Sequence, residues 1–144
     1  MTSLLLTAAL ALTQLGAPAS ASADKADEMP VRMALVVGYN HSDTADTPDL
    51  RYADDDAIAS WRMLTEAGVE ARLLIAPDAD TKRMNASLKD YGVPTYENLL
   101  ATFEQINNEL KAINESGRPT EFFFVYSGHG GLDSGEGYIV LHNG

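Results

Sequence analysis

The chain has 144 residues, 45% hydrophobic and 22% charged, the proportions of an ordinary soluble globular protein with room for one small domain or for part of a larger one. Its formal net charge of −11 repels nucleic acid phosphates and anionic lipid surfaces, which disfavours both as partners, while it attracts cationic substrates. The absence of cysteine excludes disulfides and lipid attachment through an N-terminal cysteine, and removes the commonest soft nucleophile.

Residues 1–23, MTSLLLTAALALTQLGAPASASA, carry no charged side chain. Leu4 to Leu15 form an apolar run too short for a bilayer span, which needs roughly 20 residues. A Gly-Ala-Pro break and two small-x-small sites follow, Ala19-Ser20-Ala21 and Ala21-Ser22-Ala23, so the segment reads as a cleaved secretory signal that exports the protein to the periplasm or the exterior. The usual Lys or Arg ahead of the apolar run is missing; a plain Ala/Ser-rich tail is the alternative. Residues 24–30 read as a polar linker, and 31–144 as the folded domain.

VRMALVVGY, residues 31–39, is short, Val-rich and continuously apolar, as in a strand buried on both faces. The polar loop NHSDTADTPDLRY follows. From Asp54 the period becomes helical: Asp54, Asp55 and Asp56 place negative charge in a first turn, Ala57, Ile58, Trp61 and Leu64 follow at helical spacing, and Gly68 is the stop. Residues 69–75 (VEARLLI) predict a second strand, and 81–90 a short helix. The clearest helix is 95–115, where Leu99, Phe103, Ile106, Leu110 and Ile113 form one apolar stripe. Residues 121–126 (EFFFVY) predict a third buried strand, and 138–141 (YIVL), behind the turn-rich GLDSGEG, a fourth.

Fully apolar strands alternating with helices predict an α/β, three-layer sandwich on a mainly parallel sheet. Right-handed crossovers place every strand's carboxyl end on one edge, and a strand order of 2-1-3 makes the ends of the first and third strands flank a ligand-binding switch point. Three polar segments then converge there: residues 38–41, the Asp54, Asp55 and Asp56 helix start, and residues 127–131.

His129 stands between Gly128 and Gly130 directly after a strand, with a backbone free to take positive φ and an imidazole suited to general acid–base work. The Gly130 N–H is placed to support an oxyanion. A glycine-rich turn with an incidental histidine is the plainer reading of the same residues. The three aspartates read either as dipole partners on a solvated face or as one crevice acid that binds a cation. A hydrolytic metal site from His41, Asp54, Asp55, Asp56 and His129 is a weaker alternative, since no helix-paired ligands such as H-E-x-x-H occur. The HGG tripeptide also echoes esterase oxyanion loops, but no G-x-S-x-G elbow accompanies it.

VRMALVVGYN, LRYADDDAIASWRMLTEAGV and FFFVYSGHGG, in this order and at these separations, resemble the caspase-like cysteine peptidases, particularly the bacterial relatives of caspases and metacaspases. The resemblance covers Val31 to the end, and the Tyr-Ser-Gly-His-Gly block is its specific part. It implies a polypeptide substrate, His129 as the catalytic histidine, the Gly130 N–H as half of an oxyanion hole, and Asp56 as an S1 acid that selects Arg or Lys. Around Asp56 the family pattern has glycine and cysteine where Tyr52 and Ala53 stand. It implies no cofactor for the reaction itself and leaves calcium dependence, found in some relatives, open. It also implies a nucleophilic cysteine on the next core strand, roughly 50 residues beyond the histidine. No cysteine is present, so the resemblance implies a domain incomplete at its C-terminus, with a non-catalytic peptide- or protein-binding module as the alternative.

Overall fold

The computed structural model describes residues 29–143, so the expected leader over 1–23 and most of the 24–30 linker lie outside the described residues. The elements run β1 (Val31–Tyr39), α1 (Ala53–Glu66), β2 (Glu70–Ile75), α2 (Ala79–Met84), α3 (Tyr96–Glu115), β3 (Thr120–Gly128), β4 (Gly130–Asp133) and β5 (Glu136–Ile139). β1 lies between β2 and β3, both parallel to it, in the order β2-β1-β3. This is the expected α/β architecture, and the order is the one that sets the ends of β1 and β3 at a switch point.

β1 is buried on both faces because its alternate side chains enter two separate cores. Ala34 and Val36 pack with Ala57, Ile58, Val69, Leu73 and Ile75 under α1. Met33, Leu35 and Val37 pack with Leu74 and Ile106 under α3, with Leu99, Leu110 and Phe122 at the margin. The sheet is therefore the middle of three layers. Helix ends follow from local chemistry. At the end of α1, Gly68 takes φ +80°, its N–H donates to Thr65 O, and the Val69 N–H donates to Leu64 O, which together make a Schellman stop. Thr95 Oγ1 caps α3 by accepting the Asn98 N–H, and Asp78 Oδ1 caps α2 by accepting the Thr81 N–H.

Three expectations are corrected. The short helix predicted over 81–90 occupies Ala79–Met84, because the Asp78 cap starts it earlier and Asn85 ends it. β3 is not buried: Phe123 is 39% and Phe124 47% exposed, because among the described residues β3 pairs on one side only. Apolar composition reports a wish for burial, and an edge position overrides it. The fourth strand does not join the main sheet; β5 spans Glu136–Ile139 and pairs antiparallel with β4, which the sequence reading lacked. Ser134 (φ +51°) and Gly135 (φ +89°) form the two-residue turn between them, with the paired positive φ values of a type I′ hairpin.

α1 is anchored on β1 at two adjacent points. A Cβ on Gly38 would stand 2.5 Å from Ala57 Cβ and 2.7 Å from Ala53 O, so glycine there lets helix and strand touch. Just beyond, Asn40 Oδ1 accepts the Ala53 N–H (2.7 Å) and its Nδ2 donates to Asp54 Oδ1 (2.8 Å). Tyr52, the N-cap residue, makes no side-chain cap bond, so a residue from the preceding strand end does the capping. Asn40→Ala is expected to lower the unfolding free energy by roughly 2–3 kcal/mol, since it leaves a buried carboxylate and helix N–H groups short of partners. A denaturant midpoint unchanged from the parent chain would refute this. Exposed Phe123 and Phe124 on a strand edge also predict concentration-dependent self-association of the 144-residue chain, reduced by Phe124→Lys and measured by sedimentation velocity.

Candidate functional site

The in-register pairing of Tyr39 with Gly128 brings the residues after both strands to the same level of the sheet's carboxyl edge. Asn40 and His41 thus lie beside His129, at the switch point between β1 and β3. His129 is half-buried, and its Nε2 lies 3.1 Å from the Pro48 carbonyl oxygen. A carbonyl oxygen only accepts, so Nε2 carries the hydrogen and donates it; Nδ1 is left as the basic nitrogen.

Pro48 belongs to the loop between β1 and α1, whose neck is closed three times. The Leu50 N–H donates to Asn40 O (2.7 Å), the Ser42 N–H to Asp49 Oδ1 (2.9 Å), and His41 Nδ1 to Asp49 Oδ2 (2.6 Å). The Asp49 carboxyl lies below the ordinary aspartate range, first because of the Ser42 amide, then the His41 hydrogen bond, with desolvation opposing and the His41 and His129 charges adding. Tyr39 stands edge-on to both His41 (centroids 5.5 Å apart) and His142 (5.7 Å). Burial, with a contribution from Asp49, pushes its hydroxyl above the usual tyrosine range.

The glycines around His129 work differently from the expectation. Positive φ among the described glycines occurs at Gly68, Gly117 and Gly135, and not at Gly128, Gly130 or Gly131. Space is the reason instead: a Cβ on Gly128 would collide with the Tyr126 hydroxyl, and one on Gly131 would lie 2.7 Å from Tyr138 Cζ. The freed Tyr126 hydroxyl lies 2.7 Å from His129 O and 2.6 Å from Val140 O, tying the strand end to the far arm of the hairpin. Val140 N–H donates to His129 O (2.9 Å), so residues 129 and 140 form a bonded rung. Antiparallel rungs alternate, and the pair Gly130–Ile139 therefore falls between rungs, with the Gly130 N–H turned away from β5.

The three aspartates separate by helix phase. Asp54 is fully buried: Oδ1 accepts from Asn40 and the Asp55 N–H, and Oδ2 from the Asp78 N–H. Asp55 accepts from Thr81 Oγ1, and its carboxyl is pushed up by desolvation, with Asp54, Asp78 and Asp56 adding. Asp56 alone is exposed. The reading of all three as a solvated face is corrected for Asp54, whose burial follows from its contact with Asn40. The metal-site alternative is not sustained by the geometry. His41 is paired with Asp49 and Asp54 with backbone amides, and among the described residues no group of three or more His, Cys, Asp or Glu could hold a metal ion.

Sequence reasoning missed the roles of Pro48, Asp49 and Tyr126, and the first arm of the hairpin, β4. Only Tyr126 carried a signal, as a tyrosine two residues before the glycine that its hydroxyl excludes from substitution. A cleft of about 440 Å³ lined by Trp61, Arg72, Tyr91 and Asn98 lies at the outer edge of β2 and does not include His129. The switch-point crevice has a wall from β1 and its loop, while among the described residues no strand pairs with the far side of β3.

A half-buried imidazole presented at the carboxyl edge of an α/β sheet, with its other nitrogen held by a main-chain carbonyl, is a site suited to general acid–base chemistry. The caspase domain family matches residues 31–144, and the chain belongs to it, a family of cysteine peptidases acting on polypeptides. No curated protein and no solved structure matches the chain. No helix among the described residues is long and apolar enough to cross a membrane.

Tyr126→Phe is expected to speed exchange of the Val140 amide by roughly tenfold, the factor that one lost hydrogen bond gives. Burial pushes the Tyr126 hydroxyl above the usual tyrosine range, although its bond to Val140 pulls the other way. A raised folded value means its contribution is complete below about pH 10, the ordinary tyrosine value, and declines as the pH rises beyond it. Hydrogen exchange measured across pH 7 to 11 checks both, and an amide equally protected in the variant would refute the tie.

Proposed function

We propose that the chain is the histidine-bearing portion of an exported cysteine endopeptidase that cleaves after Arg or Lys. The observation that carries this reading is the His129 Nε2–H donated to the Pro48 carbonyl, which supports Nδ1 as the base that takes a thiol proton. The thiolate then attacks the scissile carbonyl carbon, and the oxyanion is met by the Gly130 N–H, a role supported by its outward orientation between ladder rungs. The imidazolium returns the proton to the leaving amine, and water releases the acyl group from sulfur. The cysteine would come from a segment outside these 144 residues, paired along the open, phenylalanine-rich edge of β3. Asp56 is the exposed carboxylate of its triplet, which supports it as the acid that meets a basic P1 side chain. Export rests on the leader-like residues 1–23.

The absence of cysteine favours a second reading, a caspase-like module that binds peptides without cutting them. One experiment separates the two. The product of the full reading frame is assayed on Arg- and Lys-ended peptide reporters, with His129→Ala and Asp56→Asn beside it. The peptidase reading expects turnover, a loss of roughly 10²–10⁴-fold on His129→Ala, and a KM rise confined to basic P1 residues on Asp56→Asn. Binding of the same peptides with no turnover from the full product would overturn it in favour of the module.

A further inference from the structure

We infer that Asp49 is a positioning residue for His129: its carboxylate closes the neck of the β1–α1 loop so that the Pro48 carbonyl receives the His129 Nε2–H. The inference rests on the reading of His129 as the working imidazole, and adds how that imidazole is held.

Three observations converge. The two oxygens of Asp49 are divided between different elements of the neck, Oδ1 with the Ser42 N–H at 2.9 Å and Oδ2 with His41 Nδ1 at 2.6 Å. An ionised carboxylate only accepts, so both partners donate, and the carboxylate joins residues 41 and 42 to residue 49 as a two-point clasp. Pro48 is the residue immediately before the clasp, and its carbonyl oxygen lies 3.1 Å from His129 Nε2. Proline's φ, fixed at about −65°, removes one of the torsions that could move this carbonyl. The ψ of residue 48 and φ of Asp49 remain, and the clasp narrows their range by holding residue 49 against residues 41 and 42. The base of the loop is independently sealed by Leu50 N–H to Asn40 O (2.7 Å), and Asn40 in turn caps α1.

The rest of the loop has no comparable hold on its position. Ser42, Thr44 and Thr47 bond to one another, through Thr44 N–H to Ser42 Oγ (3.2 Å) and Thr44 Oγ1 to Thr47 Oγ1 (2.9 Å). Those bonds shape the tip without joining it to the sheet. The ionisable groups gathered at this edge are Tyr39 from β1, His41 and Asp49 from the loop, Tyr126 from β3, and His142 beyond β5. Among them Asp49 is the one that bonds both the loop's backbone and a neighbouring side chain. The His41–Asp49 pair is exposed, so its worth to global stability is small; its effect is the local orientation of one carbonyl.

The test follows the His129 side-chain N–H in the ¹⁵N-labelled 144-residue chain by NMR, assigned by its loss in His129→Gln. Solvent exchange of Nε2–H is expected to be roughly tenfold faster in Asp49→Ala than in the parent, the factor of one hydrogen bond. Asp49→Asn, which keeps a carbonyl oxygen for the Ser42 N–H, is expected to fall between. Asp43→Ala, an exposed change in the same loop, should leave the exchange at the parental rate. If Asp49→Ala does not fold, His41→Gln tests the other arm of the clasp with the same expected direction. Parental exchange in Asp49→Ala, or in His41→Gln if that variant stands in, overturns the inference, as does an equal effect from Asp43→Ala. Full peptidase activity in His129→Ala would sink the catalytic reading and leave this coupling standing; an unmoved N–H in Asp49→Ala would do the reverse.

Discussion

The contact between Asn40 and Asp54 is the constraint on which the rest of the structure depends. Asn40 directly follows β1, Asp54 lies in the first turn of α1, and both are buried where the loop between them returns to the sheet. One amide satisfies the α1 N-terminus with its oxygen and the aspartate with its nitrogen, and the aspartate's second oxygen takes the Asp78 N–H after β2. Strand end, helix start and the next loop are thereby locked at one point. An unpaired carboxylate there would carry the full desolvation penalty, so the three segments either meet together or the local fold fails. The loop that presents Pro48 to His129 springs from this same junction.

Close approach, rather than unusual backbone angles, explains the glycines that matter. Gly38 lets α1 lie directly on β1, and Gly128 leaves room for the Tyr126 hydroxyl to reach two carbonyl oxygens. The hairpin of β4 and β5 is mostly exposed, so it lacks the apolar burial that would fix it on the sheet. The tyrosine hydroxyl and the Val140 amide, both bonded to His129 O, supply that attachment instead. His129 is held from two directions as a result, its main chain by β3's own tyrosine and its ring by the loop from β1.

Charge is distributed with the same economy. Of three consecutive aspartates, one is structural, one is bonded to α2 through Thr81, and one faces solvent. Helical phase of about 100° per residue sends them in three directions, so a run of like charge at a helix start does not act as a single acidic patch.

The sequence by itself determined the parallel α/β sheet and the two main helices with their stops, and made the convergence of His129 with the end of β1 conditional on a 2-1-3 strand order. Those features depend on local periodicity, on glycine and capping chemistry, and on the handedness of crossovers, all of which act within short stretches or by general rule. Tertiary structure alone decided that the strands take the 2-1-3 order, which aspartate is buried, that Phe123 and Phe124 are exposed on β3, that Gly130–Asp133 form the partner arm of the hairpin, and that Asp49 and Pro48 belong beside His129. Each of these depends on a partner distant in the chain: Asn40 for Asp54, a strand neighbour for β3, a donor nitrogen 81 residues away for Pro48. A hydrogen-bond acceptor or an apolar side chain carries no mark in sequence of the group that will meet it, and only folding supplies that group.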